Sequence, residues 1–196
     1  ELVGEDKRRW LTAFGDGDYA IFRLTPEKYH YNHAPVSGRV VDHYAIDGHY
    51  HSCNPGAVVS LAAPYSKNKR VVTVIDTDVP DGTACGLVAA VEVVALMIGE
   101  VCQAYSRQAY DDPSPVLPGM FIRRGQPKSL FRPGSSTVVL LFQAGRVAFS
   151  PDLVENQRTP GVESRFASGL TAPLVETEVR VRMGIGRAVP ASGSLS

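Results

Sequence analysis

The sequence has little cysteine and no excess of either charge. Its three cysteines, Cys53, Cys85 and Cys102, form no Cys-x-x-Cys pair. This argues against zinc fingers and a disulfide framework and favours a reducing cytoplasmic setting. Lys and Arg together number 20, as do Asp and Glu, so the net charge is zero. Charge therefore gives no reason to expect nucleic acid as a partner or a polybasic attraction to anionic membranes.

A long apolar segment is also lacking. The longest apolar run, from Gly86 to Gly99, is interrupted by Glu92 and is too short to span a bilayer. The first residues do not have the pattern of a signal peptide. Because the sequence begins with Glu1 instead of Met, we expect further residues before it.

The chain of 196 residues, 44% of them hydrophobic, suits a single domain over residues 1–196 with its own core. Short segments, mostly rich in β-branched residues and separated by turn residues, predict a mainly β (α+β) fold. We expect a compact barrel-like or folded sheet with few short helices. The predicted strands are Tyr19–Leu24, Gly38–Tyr44, Val58–Ala63, Arg70–Asp76, Leu87–Val94 and Thr137–Phe142.

Between these segments, Thr25 followed by Pro26 predicts a short helical turn that runs to His30. The stretch from Gln157 to Pro173 has no regular pattern and is interpreted as an exposed insertion. The last residues, 191–196, are small and polar and are expected to fray.

A Gly134–Ser135 pair stands at the start of an apolar strand, within Phe131-Arg132-Pro133-Gly134-Ser135-Ser136. Such a pair is common in turns, and that interpretation is the default. The pair could also support chain cleavage, because a serine hydroxyl can attack the preceding carbonyl and glycine leaves the approach open. The ester that forms can undergo β-elimination and leave a pyruvoyl group. That ketone can form a Schiff base with an amine and act as an electron sink.

A second segment contains two histidines three residues apart, in Tyr29-His30-Tyr31-Asn32-His33. On a helical turn both rings could face the same way. A histidine is the usual base for activating a serine. Zinc is the competing interpretation, but no carboxylate or cysteine stands at a convincing spacing for a third ligand. The two rings could also be ordinary surface or core histidines.

Taken together and in this order, the two segments resemble the phosphatidylserine decarboxylase family. That family has a Tyr-His-x-x-His-x-Pro-x-x-Gly segment and, later, a Gly-Ser-Ser/Thr cleavage site before an apolar strand. The resemblance covers about Gly17 to Gly186. Other stretches that look alike include Lys69–Thr77, Val88–Val93 with its Glu92, Gly125 and Phe131 before the cut, and Arg182–Gly186.

The resemblance implies a proenzyme that cuts itself between Gly134 and Ser135 into a β chain (1–134) and an α chain (135–196). Ser135 would become a covalent pyruvoyl cofactor, with neither pyridoxal phosphate nor a metal. His33 matches the histidine that assists cleavage, and His30 the one near the substrate. Tyr31, Glu92 and Ser136 are the expected substrate contacts.

The implied reaction is decarboxylation of phosphatidylserine to phosphatidylethanolamine by a homodimer. The implied location is the cytoplasm or the inner face of the membrane. Three features depart from the family. A Ser-Pro-x-Asp-Gly segment, whose Asp partners the processing histidine, would lie before Glu1. Tyr31 replaces an arginine and Ser129 a glycine, and the insertion at 157–173 lengthens the α chain.

Other functions stay open at this point. A relative that decarboxylates free amino acids, for example aromatic ones, would also fit the neutral charge and Tyr31. The segment from His33 to Val41, with the Asp47-Gly48 turn, also looks like the opening of a biotinyl or lipoyl carrier domain. Such domains need a lysine in a tight hairpin, whereas Lys67 and Lys69 lie in a basic loop. A binding protein that no longer cleaves itself is a further alternative.

Overall fold

The computed structural model describes residues 1–25, 28–60, 64–96, 100–132, 136–164, 175–189 and 191, without the side chains of residues 59, 60 and 136. The helices are α1 (Arg8–Phe14), α2 (Pro55–Ser60), α3 (Pro64–Lys67) and α4 (Pro151–Asn156). The strands are β1 (Tyr19–Leu24), β2 (Tyr31–His33), β3 (Gly38–Ile46), β4 (Arg70–Asp76), β5 (Leu87–Val93), β6 (Glu100–Gln103), β7 (Phe121–Ile122), β8 (Pro127–Arg132), β9 (Ser136–Phe142), β10 (Val147–Phe149) and β11 (Gly186–Ala188). The predicted mainly β fold with few short helices is confirmed.

The strands form three antiparallel sheets. The largest has six strands in the order β1-β9-β5-β4-β3-β7 and curls as a half-barrel. A second sheet has the order β2-β8-β6, and β10 pairs with β11. Since β8 belongs to the three-stranded sheet and β9 to the six-stranded one, residues 133–135 connect the two sheets.

Apolar side chains cover both faces of the six-stranded sheet, because its central strands alternate between two cores. On one face, Trp10 and Phe14 of α1 pack against a core formed by every second residue of the central strands. That core includes Val72, Val74, Ala89, Val91, Val93 and Val139. The opposite face carries the residues between them, namely Ile75, Val88, Ala90, Leu140 and Phe142, with Tyr105, Val116 and Ile122 from the loops and β7.

The three-stranded sheet contacts this second face near one end. Val138 of β9 packs with Phe131 of β8. Between β2 and β8 the register shifts, so that Asn32 lies opposite Ser129 and His33 opposite Pro127. Lys128 is the additional residue, and such a bulge can redirect a side chain.

Two of the predicted strands, Tyr19–Leu24 and Arg70–Asp76, coincide with β1 and β4. The predicted strand Val58–Ala63 is wrong over residues 58–60, which end helix α2, while residues 61–63 lie outside the described residues. The Asn54 side chain accepts a hydrogen bond from the Ala57 N–H at 2.8 Å. Pro55 follows this cap at the first helical position, so the local start signal prevails over the β-branched run.

The helical turn predicted from Thr25 to His30 is also wrong over residues 28–30, which are not helical. Pro26 and Glu27 lie outside the described residues, and Lys28 donates one turn-type bond to the Thr25 carbonyl at 3.1 Å. The chain then runs into β2, whose pairing with β8 imposes an extended backbone. His30 and His33 therefore do not lie one above the other on a helix.

The chain segments on the two sides of the 157–173 insertion are hydrogen-bonded to each other. The Val175 N–H donates to the Gln157 carbonyl at 3.0 Å, which brings the two ends of the excursion together. Residues 158–164 contain no helix or strand, and 165–174 lie outside the described residues, as do 192–196 of the predicted frayed end. None of the described helices is both long and apolar enough to cross a membrane.

Candidate active site

His33 ends β2 with its ring partly buried and both ring nitrogens engaged. Nδ1 lies 2.8 Å from the Gly125 carbonyl oxygen and Nε2 lies 2.7 Å from the Tyr29 hydroxyl. A carbonyl can only accept, so Nδ1 must carry a proton. In the neutral ring Nε2 is then the acceptor and Tyr29 the donor. The basic nitrogen of His33 is therefore Nε2.

The carbonyl that holds Nδ1 comes from a turn that requires glycine. The Gln126 N–H donates to the Arg123 carbonyl at 3.2 Å and closes a β-turn. Gly125, at the third position of that turn, has a φ of 80°. That conformation is easy for glycine and strained for other residues. The glycine therefore lets the chain turn while its carbonyl accepts from His33.

Two tyrosines continue the hydrogen bonds from Nε2 outward. The Tyr29 hydroxyl lies 2.5 Å from that of Tyr110. Tyr110 is held by a loop that is closed where Tyr105 bridges to Ser114 and, nearer the tip, where Gln108 bridges to Asp111. Burial, followed by the contact with Tyr110, raises the pKa of Tyr29 well above its usual value. Tyr29 is therefore a neutral hydroxyl at physiological pH.

One cation, Arg182, stands next to this histidine. Its Nε donates to the Gly125 carbonyl at 3.0 Å and lies 3.4 Å from His33 Nδ1. Arg182 has a φ of 66°, an uncommon conformation for a residue other than glycine. Burial is the main cause that lowers the pKa of His33, and the Arg182 charge adds to it, while the Gly125 hydrogen bond acts in the opposite direction. His33 is thus kept in its neutral form, as a base must be.

His30 lies just before β2 and is held differently. Its Nδ1 is 2.6 Å from the Lys28 carbonyl, and its own carbonyl accepts from the Phe131 N–H at 3.1 Å. This backbone bond extends the β2–β8 ladder by one step. It brings His30 next to β8, a few residues before the predicted cut.

A cavity of about 280 Å³ opens beside the end of β8. Tyr31, Tyr110 and Leu130 contribute to its walls, together with Arg132, the last described residue before the predicted cut. Gln103 also lines the cavity, and among the described residues its buried amide oxygen and nitrogen have no hydrogen-bond partner. A second recess, of about 420 Å³, has Arg107 and Arg123 in its wall and none of the predicted site residues.

Glu92 does not line this cavity but belongs to a buried polar cluster, defined here as Asn32, Glu92, Lys128 and Ser129. Lys128 and Glu92 are each 1% exposed, and their charged atoms lie 2.8 Å apart. Ser129 and Asn32 both donate to the other carboxylate oxygen. The lysine that the bulge turns inward thus neutralises a carboxylate under β2.

The predicted cleavage site, Gly134 and Ser135, lies outside the described residues, as does the side chain of Ser136. The strands on either side are described. β8 ends at Arg132, and β9 begins at Ser136 between β1 and β5, with Ser136 opposite Leu24. No three His, Cys, Asp or Glu side chains of the described ranges come together as a metal site.

Comparison with known proteins adds the family. The model of the family described as phosphatidylserine decarboxylase matches residues 1–184. The chain belongs to this family. The phosphatidylserine decarboxylase proenzyme of Chlamydia trachomatis serovar D is 35% identical over 156 residues, or 80% of this chain and 46% of the relative. That of Ruminiclostridium cellulolyticum is 31% identical over 169 residues, or 86% of this chain and 50% of the relative.

The chain thus spans about half the length of these curated relatives. No solved structure matches the chain. The resemblance to the phosphatidylserine decarboxylase family, inferred from the histidine segment and the Gly-Ser-Ser segment, is confirmed.

The family resemblance identified His33 and His30 but gave no role to several of their neighbours. Tyr29 was visible in the segment without a stated function. Tyr110 lies in a loop and carries no local signal, and Arg182 begins the Arg182–Gly186 stretch that resembles the family but was given no role. Tyr110 reaches His33 through the Tyr29 hydroxyl and Arg182 through the Gly125 carbonyl, and these contacts join parts of the chain far apart in sequence.

Proposed function

We propose that this protein is a self-processing, pyruvoyl-dependent decarboxylase that converts phosphatidylserine to phosphatidylethanolamine. The observation that carries the proposal is the family match over residues 1–184, which spans both the histidine segment and Gly134–Ser135. Relatives in this family are named phosphatidylserine decarboxylase proenzymes. The neutral His33, with its basic nitrogen at Nε2, supports the proposal chemically.

Cleavage would proceed in three balanced steps. The Ser135 hydroxyl attacks the Gly134 carbonyl, its proton passes by way of the base to the peptide nitrogen, and the Gly134 acyl group moves from that nitrogen to the serine oxygen. β-Elimination then removes the Cα proton of residue 135 and breaks the ester, so that residues 1–134 end in a carboxylate and residue 135 becomes dehydroalanine. Water finally adds and ammonia leaves, which gives a pyruvoyl group at the start of residues 135–196.

His33 is the proposed base for the first step. Its pKa is lowered by burial and by Arg182, so the ring is free to accept a proton near neutral pH. The Gly125 carbonyl fixes which nitrogen accepts. In this role the histidine needs a fixed ring, and a backbone acceptor provides it without adding charge.

A pyruvoyl group at residue 135 fits the surroundings that are described. The 280 Å³ cavity reaches Arg132, three residues before it, and provides room for a small polar substrate group. Bound there, the pyruvoyl group supplies a carbonyl for the substrate amine and an electron sink for loss of the carboxylate. His30 is the proposed donor of the proton that replaces the carboxylate. Tyr31 and Arg132 are proposed to contact the substrate from the cavity wall, and Ser136 from the start of β9.

The two chains are proposed to stay together after the cut. β9 of the α chain pairs with β1 on one side and β5 on the other, both from the β chain. We further infer a single domain that forms a homodimer and works in the cytoplasm or at the inner face of a membrane, where its phospholipid substrate lies.

A second candidate is decarboxylation of a free aromatic amino acid. Tyr31 stands where the family has an arginine, and with Tyr110 it gives the cavity an aromatic wall. Such a wall could receive an aromatic side chain. Carbon dioxide release from phosphatidylserine vesicles, compared with free aromatic and aliphatic amino acids, distinguishes the two substrates.

The cut itself is tested by mass spectrometry of the full-length protein under denaturing conditions. We expect two fragments, with the smaller one beginning at residue 135 and carrying a carbonyl that borohydride reduces. Ser135→Ala should leave one intact chain. Ser150→Ala is the matched control, since Ser150 precedes α4 and its side chain makes no capping bond. An intact wild-type chain with an unmodified Ser135 would contradict the proposed function.

A further inference from the structure

The recess of about 420 Å³ that holds Arg107 and Arg123 plays no part in the proposed chemistry, and Tyr105, Phe121 and Gln126 complete its wall. The Tyr105 hydroxyl donates to the Gln126 amide oxygen at 2.6 Å. The Gln126 amide nitrogen donates to the Arg107 carbonyl, also at 2.6 Å. Hydrogen bonds within the wall thus occupy the neutral polar side chains, and the two guanidinium groups are the ones left for a ligand.

Neither arginine of the recess is neutralised by a carboxylate. The ion pairs among the described residues include neither Arg107 nor Arg123, although Asp111 and Asp112 follow Arg107 in the same loop. The Arg123 guanidinium lies over the Phe121 ring, 5.7 Å from its centre, an arrangement that leaves the N–H groups available. Planar guanidinium donors match the oxygens of a phosphate group, so the recess favours an anion of that kind.

Two further arginines extend this positive charge. Arg124 follows in the Gly125 turn, and Arg182 donates to the Gly125 carbonyl from the other side at 3.0 Å. All four arginines are exposed, and none belongs to an ion pair of the described part of the chain. We call them the arginine face, which consists of Arg107, Arg123, Arg124 and Arg182.

The zero net charge of the chain conceals an uneven distribution. Residues 1–18 contain five acidic and three basic residues. Through Trp10 and Phe14 this segment packs on one face of the six-stranded sheet, whereas Tyr105 of the recess packs on the opposite face. The α1 side is thus acidic and the recess side basic. Such a distribution orients a protein toward a negatively charged surface.

Exposed apolar side chains beside the arginines indicate that this surface is a lipid one. Val181 and Met183, on either side of Arg182 in the chain, are 54% and 46% exposed. Tyr110, 45% exposed, belongs to the loop that separates the recess from the 280 Å³ cavity. Cationic heads with apolar and aromatic neighbours suit the membrane interface, where headgroup phosphates lie above acyl chains.

We propose that the recess binds the phosphate of a non-reacting anionic phospholipid, and that the arginine face thereby docks the protein on an anionic membrane. The inference rests on the proposed function, in which the substrate is itself a membrane lipid. Recess and cavity open on two sides of one loop. One lipid therefore fills the recess while its neighbour enters the cavity. No covalent bond changes in the recess.

The docking is tested by vesicle flotation of the full-length Ser135→Ala precursor, which cannot form a pyruvoyl group. Vesicles contain phosphatidylcholine alone or mixed with phosphatidylglycerol, which is anionic but lacks the amine and carboxylate of the proposed substrate. Arg107→Gln with Arg123→Gln removes the charges of the recess. Arg8→Gln with Lys67→Gln is the control, since it removes equal charge from exposed side chains of α1 and α3, on the opposite face. Melting curves verify that each variant folds.

We expect the precursor to bind the mixed vesicles and to dissociate as salt is added. The recess variant should bind roughly 25-fold more weakly, since one arginine near an anionic surface contributes about five-fold. The control should change by no more than about 2-fold, because its charges are screened from the lipid. Arg107→Lys with Arg123→Lys should lie between, because an ammonium group cannot make two parallel hydrogen bonds to phosphate.

Three results would overturn the proposal. Equal losses in the recess variant and the control would show attraction by overall charge alone. Wild-type binding by the lysine variant would show that no phosphate is seated between the guanidinium groups. Competition by soluble glycerol phosphate at the concentration of the lipid phosphate would assign the recess to a free phosphate ester. A wild-type protein that binds as expected but stays uncut contradicts only the proposed function, because phosphatidylglycerol binding needs no pyruvoyl group.

Discussion

Asn32 and His33 are neighbours in β2, yet their side chains lie in opposite surroundings. Asn32 points inward to Glu92 and Ser129, in the buried polar cluster, whose ion pair is 1% exposed. His33 points outward to Tyr29, whose hydroxyl contacts solvent-exposed Tyr110. The inner groups have one satisfied arrangement. The outer groups lie close enough to solvent for His33 to exchange its proton.

This difference separates two uses of polar residues. A buried charge needs a fixed partner, and breaking the pair leaves an uncompensated charge. A partly exposed histidine that belongs to no buried ion pair can gain and lose a proton at little cost to the fold. One face of β2 should therefore govern stability, and the other should govern the rate of cleavage.

The largest effect should come from breaking the inner pair. Lys128→Met would leave the Glu92 carboxylate buried without a cation and should lower the free energy of unfolding by about 3–5 kcal/mol. Urea titration of the uncut Ser135→Ala precursor measures this. Lys67→Met, at an exposed lysine, should change it by less than about 0.5 kcal/mol.

Adding Glu92→Gln to Lys128→Met should recover at least half of that loss, because no unpaired charge remains. A Lys128→Met variant as stable as wild type would show that the inner cluster does not hold the sheets together. The claim that the inner face of β2 governs stability would then be wrong.

Removing the outer base should give the reverse pattern. His33→Gln should slow self-cleavage at least about 100-fold, the lower end of what a general base contributes. Because its ring is only partly buried, the free energy of unfolding should change by less than about 1 kcal/mol. Cleavage rate and urea unfolding are compared in parallel. Similar losses of stability in His33→Gln and Lys128→Met would contradict the division.

The outer face should also respond to pH. Burial and Arg182 lower the pKa of His33. The fraction of His33 that is neutral therefore increases with pH, and the midpoint of this increase lies below the usual histidine pKa of about 6.5. Cleavage rates should follow that rise and level off above it. Arg182→Met removes the cation and should shift the midpoint upward, whereas Arg187→Met should not. A midpoint that moves downward would mean that Arg182 acts in another way.

The smallest effect should come from an ion pair that is partly exposed. Arg23 binds Glu176 through two hydrogen bonds, of 2.8 and 3.0 Å, a geometry as good as that of the inner pair. Glu176→Gln should nevertheless lower the free energy of unfolding by less than about 1 kcal/mol, because water screens this pair. A loss as large as that in Lys128→Met would show that burial is not what distinguishes the two pairs.

Much of the large sheet was predictable from local sequence. β4 is a run of β-branched residues and β1 a short, largely apolar and aromatic segment, both between turn residues, and their bounds matched. The short strands β2, β6 and β8 were missed, because polar residues interrupt them and their pairing comes from distant parts of the chain. The failure at residues 58–60 has a local cause, since the Asn54 cap outweighs two consecutive valines.

The site was predictable only where a motif marked it. The His33 segment and Gly134–Ser135 stood out as a pair, through resemblance. The helical arrangement predicted for His30 and His33 was wrong, because pairing with β8 gives β2 an extended conformation. Tyr110 carries no pattern of its own, and the resemblance of Arg182–Gly186 to the family says nothing of a contact between Arg182 and the histidine segment. The inward position of Lys128 depends on a one-residue bulge, which no local sequence pattern predicts.

The position of β9 also determines what kind of object the cut would leave. This strand pairs along its length with β1 and β5, and it begins one residue after the predicted bond. Cleavage would turn a molecule that folds by itself into one whose refolding is bimolecular. Once denatured, its two pieces would have to find each other, with a rate that depends on concentration. The uncut precursor would thus be the only form that can refold as one chain. The Gly134–Ser135 bond, while intact, would make folding independent of the protein concentration.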